Sequence, residues 1–257
     1  MAAETYPLKF KRSEVSRIVI GHTQGMGARG YQEDSFGYTK REEDGIGFLA
    51  VVADGMGGLS NGGEISADVV AQMLLKSRQL SPQAVVHAEF ARTISNMNDA
   101  LMGDAVRSGS TVAAVYCRRD GVFWCCVGDS RVYLFRGGGL TPLNEDSDYF
   151  NVLLRKVLTG EMSYAQAMED PQKDALAQYI GRRGAITPDC NRRPLRPVRK
   201  DKLLLCSDGV YNGLSEEELA ALLRLPPQSA ADEISKNIMK KNNPKQDNFT
   251  AVILEFR

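Results

Sequence analysis

The chain has 257 residues, 43% hydrophobic and 25% charged, the make-up of a globular protein able to bury a full core in one large domain. Thirty-two basic residues balance thirty-two acidic ones, so no global field favours nucleic acid or an anionic membrane. No apolar run approaches the roughly 18–20 residues that cross a bilayer, and the segment from Met1 to Arg12 lacks the hydrophobic stretch of a signal peptide, so a cytoplasmic protein is expected.

Three strand-like runs come first, over 16–24, 35–39 and 48–53. Helical spacing follows over 63–76, through Ile65, Val69 and Met73. A second helix is expected from Ser81 as N-cap and Pro82 in the first turn, with Val86, Phe90, Ile94, Met97 and Leu101 as its core stripe. His87 stands beside that stripe, on the helix surface. Short strands at 111–117, 122–127 and 131–135, joined by Asp-Gly and Gly-Asp-Ser turns, read as an antiparallel meander.

Residues 137–200 differ from the rest. They are polar, carry helical pieces at 145–158 and 163–180, and include Arg182, Arg183, Arg192, Arg193 and Arg196. Too few apolar residues are present for a separate core, so the segment reads as an insert over one end of the sheets. Its arginines would either dock phosphorylated or acidic substrates or form a solvated basic face. A strand at 202–206 comes next, and Ser215 opens a helix through a capping box with Glu218. Pro226 and Pro227 stop that helix, another covers 229–240, and a last strand spans 249–254. Strands and helices fall in blocks, which favours antiparallel sheets with helices outside them.

Five cysteines form no CxxC pair. Cys125 and Cys126, adjacent in a strand, should face opposite sides of a sheet. Together with Cys117 and Cys206 they read as small core residues of a reducing compartment, with no zinc or disulfide role.

Three aspartates sit at ends of the strongest apolar runs: Asp54 after 48–53, Asp208 after 202–206, and Asp247 before 249–254. If those strands share a core, the three carboxylates meet at one end of it. Crowded carboxylates repel, and divalent cations held by oxygen ligands are the economical remedy. Gly55, Gly57 and Gly58 would let the backbone turn sharply and approach a cation. Each Asp-Gly pair taken singly serves a plain turn equally well.

The motifs in order are Arg29-Gly-Tyr-Gln-Glu33-Asp34, Asp54-Gly55-Met-Gly-Gly58, Gly109-Ser-Thr111, Gly128-Asp129-Ser-Arg131, Ser207-Asp208-Gly209 and Asp247-Asn248. This series resembles the metal-dependent protein phosphatase family of the 2C type, in its bacterial form, over residues 21–256. The resemblance implies an α+β, four-layer αββα sandwich: two antiparallel β-sheets flanked by helices, one catalytic domain over 1–257, with a helical flap insert at about 144–195. It implies hydrolysis of phosphoserine and phosphothreonine in proteins by a metal-bound hydroxide at a centre of two Mn²⁺ or Mg²⁺ ions.

Within that likeness Asp54 bridges the two metals, Asp208 and Asp247 complete one site, and the Gly55 carbonyl serves the other. Asp129 and Asp208 would support a third, weaker metal. Glu33 and Asp34 would hold metal-bound waters, and Arg29 would clamp the phosphate with its planar fork. Met56 stands where many eukaryotic members carry a histidine acid, so water must protonate the leaving group. The insert lacks the histidine- and arginine-containing segment of many relatives, and 177–182 is an eroded version of it. Partners implied are phosphoproteins and a serine/threonine kinase, with no nucleic acid and no membrane. Two rivals stand beside this reading: a non-catalytic phosphoprotein-binding pseudophosphatase, which loss of a metal acid would betray, and a phosphatase of small metabolites.

Overall fold

Alternation along the strands sorts the apolar residues into three cores. The computed structural model describes residues 4–40, 46–56, 61–101, 108–173 and 175–257. In chain order the elements begin with β1 (Glu4–Pro7), β2 (Arg17–Gly25), β3 (Asp34–Tyr38) and β4 (Phe48–Met56), then α1 (Gly62–Gln79) and α2 (Val86–Leu101). Strands β5 (Gly109–Ser110), β6 (Val112–Arg118), β7 (Gly121–Val127), β8 (Arg131–Arg136) and β9 (Gly139–Pro142) follow. The insert contributes α3 (Tyr149–Leu158), α4 (Tyr164–Glu169) and β10 (Asp189–Cys190). The chain closes with β11 (Lys202–Cys206), α5 (Asp208–Tyr211), α6 (Glu216–Leu222), α7 (Pro227–Lys240) and β12 (Phe249–Phe256).

One sheet has the order β1-β2-β12-β11-β8-β9, the other β10-β7-β6-β4-β3 with β5 beside β4, and the pairings are antiparallel. Phe48, Ala50 and Val52 of β4 face the core between the sheets, while Leu49, Val51 and Ala53 face α1 and α2. The other sheet repeats the pattern: Leu203 and Leu205 of β11 point inward, Leu204 and Cys206 toward α6 and α7. The layers are therefore helix, sheet, sheet, helix, as the motif resemblance implied. Each central strand is buried on both faces, which is why it reads as an unbroken apolar run. Cys125 and Cys126 do fall on opposite faces.

Several boundaries differ from the sequence reading. Helix α2 starts at Val86, because Ser81 heads a turn closed by the Ala84 amide donating to the Ser81 carbonyl at 3.0 Å. Pro227 opens α7 as a first-turn proline, where its missing N–H costs nothing, so of the two prolines only Pro226 belongs to the link between the helices. Ser215 and Glu218 form the expected capping box.

The insert is helical only in its first half. Asp148 caps α3 by accepting the Asn151 amide at 2.7 Å, and α4 ends at Glu169 ahead of Pro171. The second half is a strap along the edge of β7. There β10 pairs with β7, Leu195 bridges Val122, and Ile180 and Ile186 enter the core beneath α2. That strap also overturns the expectation of unlinked thiols. Cys190 lies opposite Cys125 in register, with Cα atoms 4.2 Å apart, and the two sulfurs are joined. Among the described residues no helix is long and apolar enough to cross a membrane.

Candidate metal centre

Antiparallel pairing brings the acidic strand ends to one end of the sandwich. Asp34 is directly opposite Asp54 in the β3–β4 pair. Cys206 pairs with Ala251, so Asp208, beyond the end of β11, and Asp247, ahead of β12, leave their sheet on the same side. Phe249 and Thr250 pair with Gly25 and Gln24, which brings the loop bearing Arg29 there too.

Asp34 joins the two sheets. Ser207 Oγ and Thr250 Oγ1 each donate to its Oδ2 at 2.7 Å, leaving Oδ1 buried and without a partner. Asn248 pins the neighbouring loop: its Oδ1 accepts the Glu33 amide at 2.7 Å, and its Nδ2 donates to the Met26 and Tyr31 carbonyls at 3.0 Å. Glu33 Oε1 is likewise buried without a hydrogen bond. Asp247 Oδ1 accepts the Asn248 amide, and Oδ2 pairs with Arg29 Nη2 at 2.5 Å.

The backbone of Asp54 is held by the Gly109–Thr111 motif. Asp54 N donates to Thr111 Oγ1 at 2.9 Å, while Thr111 N and Ser110 Oγ donate to the Asp54 carbonyl at 2.8 and 3.1 Å. With its main chain held, the carboxylate has a fixed origin. Gly55 is explained by close packing and not by a sharp turn: a Cβ there would stand 2.1 Å from the Gly62 carbonyl oxygen. Gly57 and Gly58 lie outside the described residues.

Asp129 follows Gly128, whose φ of 97° favours glycine. The Asp129 carbonyl accepts Tyr211 OH at 3.1 Å, and the Arg131 guanidinium lies 3.6 Å over the Tyr211 ring. Arg131 also grips both oxygens of Asp146 at the root of the insert, at 2.5–3.0 Å. The Asp129 loop, α5 and the insert are thus tied to one another.

The charges confirm the crowding. Burial, and then the charges of Asp34, Asp208, Asp129 and Asp247, push the Asp54 carboxyl well above the usual range. Asp34 is pushed up to about 6 by burial, partly offset by its hydroxyl donors. Burial and Asp247 raise Asp208 to about 6, with Arg29 working the other way. Asp129 rises to about 7 through burial and Asp208. Carboxyls raised by desolvation and by other carboxylates are short of positive partners, and the two arginines at hand are spent elsewhere, Arg29 on Asp247 and Arg131 on Asp146.

Whether divalent cations fit is answered by the donors. Asp34 Oδ1, Asp208 Oδ1 and Glu33 Oε1 are buried oxygens with no hydrogen-bond partner. All are hard, anionic acceptors, the class that Mg²⁺ and Mn²⁺ prefer. Among the described residues no three acid, histidine or cysteine side chains are already drawn into a closed cage. The donor set fits cations.

Sequence reasoning quoted Ser207, Asn248, Thr111 and Arg131 inside motifs without giving them work, and passed over Tyr211 and Thr250. The available signal was position: each lies within three residues of a metal-site acid or in one of its motifs. His22 packs its ring 4.9 Å from that of Phe36 and takes no part.

The chain is similar to known proteins in sequence and in fold. The family model described as "Protein phosphatase 2C" matches residues 29–242. The serine/threonine phosphatase stp of Listeria welshimeri is 30% identical over 249 residues, covering 88% of this chain and 91% of the relative. The S. agalactiae serine/threonine phosphatase structure superposes with a TM-score of 0.77 at 24% identity, covering 93% of this chain and 100% of that one. The catalytic domain of the phosphatase PstP, solved with two manganese ions, superposes with a TM-score of 0.68 at 22% identity, covering 93% and 97%.

Proposed function

Because this chain belongs to the protein phosphatase 2C family, we propose that Asp54, Asp208 and Asp247 hold the divalent cations of its phosphatase centre. The chain is a metal-dependent serine/threonine protein phosphatase, as are the relatives that share most of its length. One observation carries the site assignment: half-buried Asp54 feels the charges of four other aspartates, and buried oxygens of Glu33, Asp34 and Asp208 lack any protein partner.

In this reading Asp54 would be a ligand common to two Mn²⁺ or Mg²⁺ ions, Asp208 and Asp247 would complete one set of donors, and the Gly55 carbonyl would serve the other. Asp129 and Asp208 would support a third, weaker ion. Bound, the ions neutralise the phosphate dianion and lower the pKa of water enough to give a nucleophile near neutral pH. The chain's own groups do the rest. Glu33 Oε1 and Asp34 Oδ1 are free acceptors that orient water protons. Arg29 is 56% exposed, so its fork can meet phosphate oxygens from solvent while one nitrogen stays on Asp247.

A water oxygen bonds to phosphorus as the ester P–O bond breaks, and the departing serine or threonine alkoxide takes its proton from water. Met56 offers none. The hydroxyl and thiol next to Asp208 are not free to form a covalent phosphoenzyme: Ser207 Oγ is committed to Asp34, and the fully buried Cys206 thiol is raised by burial.

Residues 1–257 are read as one catalytic domain, and the reaction class that supplies its substrate is phosphoryl transfer to serine and threonine by a protein kinase. A cytoplasmic location suits that pairing, and there the Cys125–Cys190 pair would be kept mainly as thiols. A non-catalytic module would have lost a metal acid, and Asp54, Asp208 and Asp247 are all present.

The test is hydrolysis of phosphothreonine peptides with Mn²⁺, Mg²⁺ and chelator in parallel, beside a panel of phosphorylated metabolites. Turnover of the peptides that requires the metal is expected. Turnover that survives chelation would refute the cation assignment, and preference for a metabolite would refute the protein substrate.

A further inference from the structure

The opposite end of the same strands carries a surplus of the other sign. An open pocket of about 560 Å³ is lined there by Lys200, Lys202, Arg224 and Arg257 against one acid, Glu255, with Phe135, Leu223 and Pro226 as apolar wall. Four cations face one carboxylate. Lys202, Arg257 and Glu255 form a fixed frame. Buried Lys202 donates from Nζ to the carbonyls of Leu223 and Leu225, the residues either side of Arg224, and lies 3.6 Å from Glu255. Arg257 Nε donates to Glu255 at 2.6 Å. Glu255 is thereby fully used.

The other two cations point outward from rigid supports. Lys200 has a φ of 74°, a conformation that a non-glycine residue keeps only where its surroundings over-determine it. The surroundings do so: its amide donates to the Phe256 carbonyl at 2.8 Å, and the next residue, Asp201, receives the Val198 amide at 2.8 Å and the fork of Arg136 at 2.6–2.9 Å. Arg224 is held by the Lys202 bonds on each side, and its guanidinium lies against Gly138. Both Lys200 and Arg224 are exposed, and among the described residues neither side chain has an ion-pair partner.

We infer that this pocket docks an acidic segment of a protein substrate, remote from the phosphorylated residue; the inference rests on the protein phosphatase reading and adds a determinant of substrate choice. The cations come from separate chain segments spread around a pocket far larger than one phosphate fills, so a chain bearing several carboxylates meets them where a single anion cannot. The apolar wall takes the stems of those side chains. Geometry sets the spacing. β11 runs from Lys202 to Cys206, about 13 Å at roughly 3.3 Å per residue, with Asp208 beyond its end. An acidic cluster must therefore lie at least about four extended residues from the phosphothreonine.

The test uses two phosphothreonine peptides with one common phosphosite, one carrying an Asp/Glu cluster about ten residues away and the other carrying it next to the phosphosite. The wild type should favour the distant cluster about fivefold in kcat/KM, through KM, with the advantage lost in about 0.5 M salt. The Lys200→Glu/Arg224→Glu variant should lose that preference while hydrolysing p-nitrophenyl phosphate at the wild-type rate. Lys200→Gln/Arg224→Gln provides a milder version of the same loss. Equal kcat/KM for the two peptides in the wild type, or a preference unchanged in both variants, would overturn the inference. So would binding of anionic vesicles, abolished by the same variants, with no peptide preference. Absence of metal-dependent turnover altogether would instead strike the phosphatase reading beneath it.

Discussion

The two ends of β11 solve opposite problems. At its start Lys202 is a buried cation whose needs are met within the chain, by two carbonyls and Glu255. Past its end Asp208 is a carboxylate among carboxylates, with Oδ1 buried and unmet. A buried charge that is satisfied belongs to the structure; one left unsatisfied marks a ligand. Exposure then grades the ligand. Unmet oxygens inside the acidic end call for tightly held cations, whereas unmet cations on the rim of the basic end can give only weak, salt-sensitive docking.

Substitution at each end breaks the comparison in a different way. Asp208→Ala removes a cation donor and should cost roughly 10³-fold in kcat toward p-nitrophenyl phosphate, about 4 kcal/mol of transition-state stabilisation. The fold should hold, since relieving repulsion offsets the lost contacts. Turnover near wild type in that variant would show the site to be misassigned. Lys202→Ala should do the reverse. It leaves the buried Leu223 carbonyl unmet and buried Glu255 short of a cation, and should cost about 3 kcal/mol of stability in urea unfolding, with turnover per folded molecule unchanged. Activity lost without stability lost would show that the two ends are not separable.

The sequence carried the acidic end further than the basic one, for a physical reason. Asp54, Asp208 and Asp247 each interrupt an apolar run, and burial on both faces of a strand makes that interruption visible in one dimension. What completes the site is not local. The hydroxyls that satisfy Asp34 come from Ser207 and Thr250, 173 and 216 residues further along the chain. The Cys125–Cys190 pair, 65 residues apart, and the short edge strands β1, β9 and β10 were hidden likewise. Edge strands bury one side at most and leave little pattern. Read along the chain, the arginines of the insert drew attention, yet a pocket with four cations against one acid is built from β11, β12 and the α6–α7 link.

Proton linkage separates the two ends without mutation. In metal-free protein Asp34 has its carboxyl raised from 3.8 to about 6, so the folded state holds a proton that the unfolded chain has released. A raised carboxyl weakens the fold as pH climbs from 3.8 through 6, and the loss is complete above that window. Asp34 alone would contribute about 2–3 kcal/mol, an upper figure because its neighbours titrate with it. Chelator-treated protein should therefore melt higher at pH 5 than at pH 7, and Mn²⁺ should raise the melting temperature more at pH 7. Metal-free melts independent of pH across that range would mean that the aspartates are not crowded.

The smallest effect tests Arg29, the exposed cation paired with Asp247 at the acidic end. Arg29 pairs with Asp247 through one nitrogen while more than half of its side chain faces solvent, so it competes with a metal for that oxygen and also awaits a phosphate. Arg29→Ala should raise KM about tenfold, the loss of one charge-assisted contact, and leave Mn²⁺ affinity unchanged or slightly higher. Arg29→Lys keeps the charge without the fork and should recover only part of that loss. Steady-state kinetics beside calorimetric Mn²⁺ titration measure both sides. If Mn²⁺ affinity fell in step with KM, Arg29 would be holding Asp247 for the metal and not waiting for substrate. The KM effect should also be the same for p-nitrophenyl phosphate and for both peptides, because Arg29 meets the phosphate that all three carry. Lys200 and Arg224 meet only what lies beyond it.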